Sequence, residues 1–88
     1  MGQVAVLFRL MPTGVDTDMR ALGESVRGAL PPGVTLRGLQ VKDIAYGLKA
    51  LLLSVVMGDA GGVLQATEEA LSKLPHVESV EVMEEGLL

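Results

Sequence analysis

One stretch of this 88-residue chain combines side chains able to grip another molecule: Lys42-Asp43-Ile44-Ala45-Tyr46-Gly47-Leu48-Lys49. It holds the sole tyrosine, followed by a glycine and flanked by two lysines. If the flanking strands pair about a centre between Ala45 and Tyr46, Lys42 falls opposite Lys49. Like charges placed opposite each other are mildly destabilising, and a segment that breaks a local rule without compensation marks a candidate functional site. The chemistry would be non-covalent: an aromatic anchor with two ammonium groups on an otherwise acidic protein. Gly47 would let a partner's backbone approach, or accept a positive φ. A second reading of the same residues stays open. In it, Tyr46 plugs the end of the core and the lysines are solvated, with Asp43 nearby. A slip of one residue in register would also send the lysines to opposite faces.

Covalent and metal chemistry find little support elsewhere. His76 is the only histidine and cysteine is absent, so no second soft ligand can share a metal with it. The glycines between Gly58 and Gly62 lack the lysine and the spacing of a phosphate loop, and Asp59 would repel an anion there. They read as a strand-to-helix turn. Ser25, Ser54, Ser72 and Ser79 have no histidine–carboxylate support. Glu68-Glu69 and Glu84-Glu85 read as solvated faces. No catalytic residue, metal or cofactor is expected.

The charge balance narrows the partners. Seven basic residues stand against eleven acidic ones, giving a net charge of −4. A nucleic-acid binder needs cations for phosphates and rings for bases, and this chain has one phenylalanine and one tyrosine. Direct nucleic-acid binding is not expected; a protein with a basic surface suits the charge better. Half the residues are hydrophobic, which excludes a disordered chain. No apolar run is long enough to span a bilayer, and the start lacks a signal-peptide pattern. A single domain over residues 1–88, cytoplasmic and monomeric, is the expectation.

The elements that must position the central segment follow from periodicity. Gln3 to Met11 reads as a strand. Asp16 to Leu30 reads as a helix, with Met19, Leu22, Val26 and Leu30 on one stripe and Asp16 or Thr17 as its cap. Pro31-Pro32-Gly33 stops it. Val34 to Lys42 is a second strand whose phase shifts at Gly38, a sign of a bulge. Leu48 to Met57 is a third strand, Val63 to Leu74 a helix facing inward through Val63, Ala66, Ala70 (or Thr67), Leu71 and Leu74, and Val77 to Glu84 a fourth strand. Two interlocked strand–helix–strand units make an α+β, ferredoxin-like βαββαβ sandwich, its antiparallel sheet in the order 4-1-3-2 with both helices on one face. The first and third strands are apolar on both faces and belong in the centre. Ala5, Leu7 and Leu52 would then form an apolar patch on the helix-free side.

Ile44-Ala45-Tyr46-Gly47-Leu48-Lys49-Ala50-Leu51 resembles the signature segment of the translation elongation factor 1-beta family, above all its archaeal members. Met1 to Val4 with Met11-Pro12, and Glu69 to Lys73 with Val77 to Val82, are similar to archaeal members as well, so the resemblance covers the whole chain. It implies guanine-nucleotide exchange: binding to the GTPase elongation factor 1-alpha, release of GDP and loading of GTP during translation, with no covalent bond changed. It implies that Tyr46 contacts the GTPase, flanked by Gly47 and Lys49 in the same motif. Eukaryotic members place a lysine next to last, reaching the magnesium site. Here no lysine follows Lys73, which leaves Glu84 or Glu85 to compete for magnesium or repel phosphate. The rival expectation is a small-ligand regulatory module of the same fold, binding amino acids and dimerising through the sheet.

Overall fold

Strict alternation makes Gln3–Pro12 the strand β1, with Val4, Val6, Phe8 and Leu10 buried on one face. The computed structural model describes residues 2–58 and 61–88. Helix α1 (Met19–Ala29), strands β2 (Val34–Ala45) and β3 (Leu48–Gly58), helix α2 (Val63–Ser72) and strand β4 (Val77–Leu87) follow in order. The four strands form one antiparallel sheet, β2-β3-β1-β4. This is the ferredoxin-like order expected from the sequence. β1 and β3 take the centre because they alone carry apolar side chains in both phases.

The core lies between the sheet and the helices. Register sets Val4 beside Met57, Val6 beside Val55, Phe8 beside Leu53 and Leu10 beside Leu51. Leu22 and Val26 of α1 and Leu71 of α2 close over these pairs. Among the described residues the opposite face carries no helix, and there Ala5, Leu7 and Leu52 are half-buried.

Several boundaries differ from the sequence reading, each for a physical reason. α1 begins at Met19, not Asp16, and its cap is Asp18. The Asp18 carboxylate accepts from the amides of Arg20 (3.1 Å) and Ala21 (3.2 Å), while Asp16 and Thr17 belong to the preceding turn, where the Thr17 amide donates to Gly14. α2 ends at Ser72, and it buries Thr67 while Ala66 is exposed. The Thr67 hydroxyl donates to the Val63 carbonyl at 2.8 Å, so its burial leaves no unmet polar group. Gly62 starts α2 with a left-handed φ of 86°, a conformation that suits glycine. Asp59 and Ala60, in the middle of the expected glycine-rich turn, lie outside the described residues. β2 and β4 each run three residues further than their alternation suggests, because β3 and β1 continue beside them and supply the hydrogen-bond partners. The expected bulge at Gly38 is present as a register shift between Leu36 and Gly38.

Candidate partner-binding surface

β2 and β3 form a hairpin closed by two residues, Tyr46 and Gly47, with Ala45 paired to Leu48. Both turn residues have positive φ, 54° for Tyr46 and 80° for Gly47. That combination marks a primed two-residue turn, whose twist matches the right-handed twist of the strands it joins. Glycine is at home in the second position. The first position favours Asn, Asp or Gly, and a bulky side chain there costs on the order of 1–3 kcal/mol of backbone strain. Tyr46 is 100% exposed, so no packing offsets that strain. Local structure therefore does not explain the tyrosine. The reading in which it plugs the core is overturned.

The lysine pairing expected from the sequence does not form. A register shift between Asp43 and Ala45 leaves Ile44 without a partner, and below it Asp43 stands opposite Lys49 while Lys42 stands opposite Ala50. Strand alternation then sends Lys42 and Lys49 to opposite faces of the hairpin. Lys49 shares the helix-bearing side with Asp43, and Lys42 points to the helix-free side. The like-charge conflict that singled out this segment is absent. What remains is a tip with a bare ring, two exposed ammonium groups, one per face, and the half-exposed apolar Ile44 at 43%. Among the described residues the one ion pair is Arg9 with Glu81, so neither lysine is neutralised locally. The sequence reading named Ile44 and Asp43 without giving Ile44 the bulge or Asp43 the place opposite Lys49. The Tyr-Gly dipeptide, taken as a two-residue turn, would have moved the hairpin centre by one residue; the bulge itself leaves no local signal.

A second exposed residue with left-handed backbone lies at the same end. His76 has φ 69° and directly precedes β4, as the Tyr46 turn precedes β3. β3 and β4 both run antiparallel to β1, so their starts share one edge of the molecule. The His76 carbonyl accepts the Thr13 amide at 3.0 Å, tying the turn before β4 to the end of β1. Among the described residues no group of three or more histidines and carboxylates is arranged to hold a metal, and no helix is long and apolar enough to cross a membrane.

The terminal carboxylates are far from the tip. Glu84 is paired with Leu7, which is itself paired with Ser54 on its other side, and Glu85 is paired with Val6. Six residues of β3 separate Leu48 from Ser54, which is about 20 Å at the usual rise. In a molecule 42 Å long, Glu84 and Glu85 do not share a site with Tyr46.

Residues 5–87 match the sequence model of a family described as the EF-1 guanine nucleotide exchange domain. Elongation factor 1-beta of Methanococcoides burtonii is 44% identical over 86 residues, covering 98% of this chain and 97% of that protein. The Methanosarcina barkeri protein of the same name is 41% identical over 85 residues, 96% of each chain. That of Halorubrum lacusprofundi is 41% identical over 88 residues, the full length of both. Among solved structures, the C-terminal domain of MgtC from Mycobacterium tuberculosis superposes with a TM-score of 0.59 at 19% identity, covering 99% of this chain and 88% of that one. BlrP1 BLUF gives the same TM-score at 12% identity over 100% of this chain and 56% of that one. At such identities these two likenesses speak for the fold alone.

Proposed function

The chain belongs to the EF-1 guanine nucleotide exchange domain family, and from that premise we propose that the Tyr46-Gly47 tip, with Lys49 and Lys42 on its two flanks, is the surface it presents to elongation factor 1-alpha. Membership makes the chain an exchange factor that promotes GDP release and GTP loading on that GTPase. The alternative of an amino-acid-binding module is not favoured.

The chain acts by binding, without covalent chemistry. Exchange follows from linkage. A protein that binds the nucleotide-poor GTPase better than the nucleotide-loaded one must weaken nucleotide affinity by the factor that nucleotide weakens its own binding. Such a factor needs a contact surface that is ordered before the encounter, because flexible segments lose binding energy to ordering. A hairpin tip extending from the two strands β2 and β3 meets that need. Its ring is bare, so little protein-side contact is lost when the partner covers it. A cleft on the GTPase that receives the tip meets Lys49 on one wall and Lys42 on the other.

One observation carries this reading: a fully exposed tyrosine held at φ 54°, where strain and solvent both argue for a smaller polar residue. Direct contact with nucleic acid is not part of the proposal. Phe8 is buried beneath the helices and unavailable for stacking, and the chain carries net negative charge. The place of action follows the GTPase, in the cytoplasm. The test is release of a fluorescent GDP from elongation factor 1-alpha. Addition of the chain should accelerate it strongly, and Tyr46→Ala should remove most of that acceleration with the fold intact by circular dichroism. An unchanged release rate on adding the wild-type chain would refute exchange. Full activity of Tyr46→Ala would refute the tip.

A further inference from the structure

β2 is an edge strand, and among the described residues it pairs with β3 alone. Between its two register shifts, Gly38 to Asp43 run in unbroken register beside Ser54 to Lys49. Alternate backbone groups of that stretch point outward with no strand to meet them. Beside the edge, on the helix-bearing side, α1 and β2 leave a groove of about 310 Å³. Met19, Leu39 and Val41 make its floor, and Arg20, Glu24 and Arg27 of α1 stand along it. Val41 is 46% exposed although it sits in the core phase, opposite Leu51. Gly23 also lines the groove, and a Cβ added there would meet the Leu39 side chain at 3.5 Å. The missing side chain helps to keep the groove open.

Cations gather at this edge. Arg20 and Arg27 stand on its helix-bearing side, Arg37 and Lys42 on the other, and these are four of the seven basic residues in the chain. Among the described residues none of the four has a carboxylate within ion-pair distance, Glu24 included. The opposite edge, β4, carries Glu78, Glu81, Glu84 and Glu85. An acidic protein thus keeps its unpaired positive charge along one open strand.

We propose that β2 accepts an extended segment of another protein as a fifth strand, one in which apolar side chains alternate with carboxylates. The backbone ladder supplies affinity and the alternation supplies choice. With a period of two, one set of side chains enters the groove over Leu39 and Val41, and the other set runs past Arg37 and Lys42 on the helix-free side. The apolar floor takes the first set and the two cations take the second. Arg20 and Arg27, two turns apart on α1, add attraction for a segment of net negative charge. A second copy of this chain fits the edge less well. Two β2 edges repel each other, while β4 laid on β2 joins copies head to tail in an open filament.

Titration of the isotope-labelled full chain with a synthetic peptide of about ten residues, valine alternating with glutamate, tests the proposal by nuclear magnetic resonance. Binding should saturate with a dissociation constant below about 1 mM, and the amide shifts should concentrate in Gly38 to Asp43 and along Arg20 to Arg27. Arg20→Glu combined with Arg27→Glu should weaken binding by about tenfold or more, with the fold intact by circular dichroism. That variant should keep wild-type GDP release, because neither residue belongs to the Tyr46 tip. Methylating alternate peptide nitrogens should abolish binding in one of the two possible sets, the set that faces β2. A peptide with serine in place of valine should fail to bind. No saturable shift, shifts placed elsewhere, indifference to methylation or equal binding by the serine peptide each overturn the proposal. So does filament growth without peptide, read by sedimentation, which gives the edge to a second copy. Lost GDP release in the double variant overturns it too, and gives the edge to the GTPase.

Discussion

Asp43, not Lys42, stands opposite Lys49 across the hairpin, and the half-exposed Ile44 is the residue that displaces the pairing. This relationship places the two lysines on different faces, with the turn between them. Residues on opposite faces with no shared partner act independently. Lys42→Ala and Lys49→Ala should therefore each slow exchange, and the double variant should combine their effects additively to within about 0.5 kcal/mol in the free energy of kcat/KM. Strong non-additivity would mean that both ammonium groups converge on one partner group. Neither variant should change the denaturation midpoint appreciably, since both side chains are exposed.

Gly47 accepts its φ of 80° without strain, and a Cβ added there would meet nothing within 4 Å. The cost of Gly47→Ala is then backbone strain alone, about 1 kcal/mol or somewhat more. Urea unfolding should show that loss with an unchanged m-value. A neutral result would mean that the turn relaxes to another type.

Asp18 and Asp16 make a paired comparison at the start of α1. Asp18→Ala removes the carboxylate oxygen that accepts from two backbone amides and should cost about 1 kcal/mol, whereas Asp16→Ala should be close to neutral. Thermal unfolding of the two variants side by side distinguishes them.

Phe8 and Leu53 are both fully buried, are register partners and lie at the centre of the core. Phe8→Ala should cost about 3–5 kcal/mol and Leu53→Ala about 2–5. For a domain of this size, whose total stability is roughly 4–13 kcal/mol, either loss is a large fraction. Equilibrium denaturation should show both as major shifts of midpoint.

The fold was legible where physics is local or strongly periodic. Alternation along Val4 to Leu10 and Leu51 to Val55 identified the central strands. Pro31-Pro32-Gly33 marked where α1 stops. Less was legible where a choice depends on the three-dimensional setting rather than on residue type or period. Thr67 was the inward alternative to Ala70, and its hydroxyl, satisfied by Val63 one turn earlier, lets it take the buried place, while Ala66 is exposed. Asp16, Thr17 and Asp18 are all competent caps, and the turn closed by Gly14 decides among them. Alternation ends the fourth strand at Glu84, whereas β1 supplies the edge that carries β4 on to Leu87. At the candidate site, the tyrosine and glycine were identifiable from rarity and position. The lysine geometry was not, because one bulged residue reverses which side chain faces which.

The central claim concerns Tyr46, a ring that the fold strains and leaves uncovered. Tyr46→Asn relieves the left-handed backbone while removing the anchor, which separates function from stability in one variant. Release of fluorescent GDP from elongation factor 1-alpha, measured with wild type and Tyr46→Asn beside their melting curves, is the direct test. The account predicts a melting temperature equal to or above that of the wild type, and exchange slowed by about tenfold or more. Exchange at the wild-type rate by a folded Tyr46→Asn would contradict it.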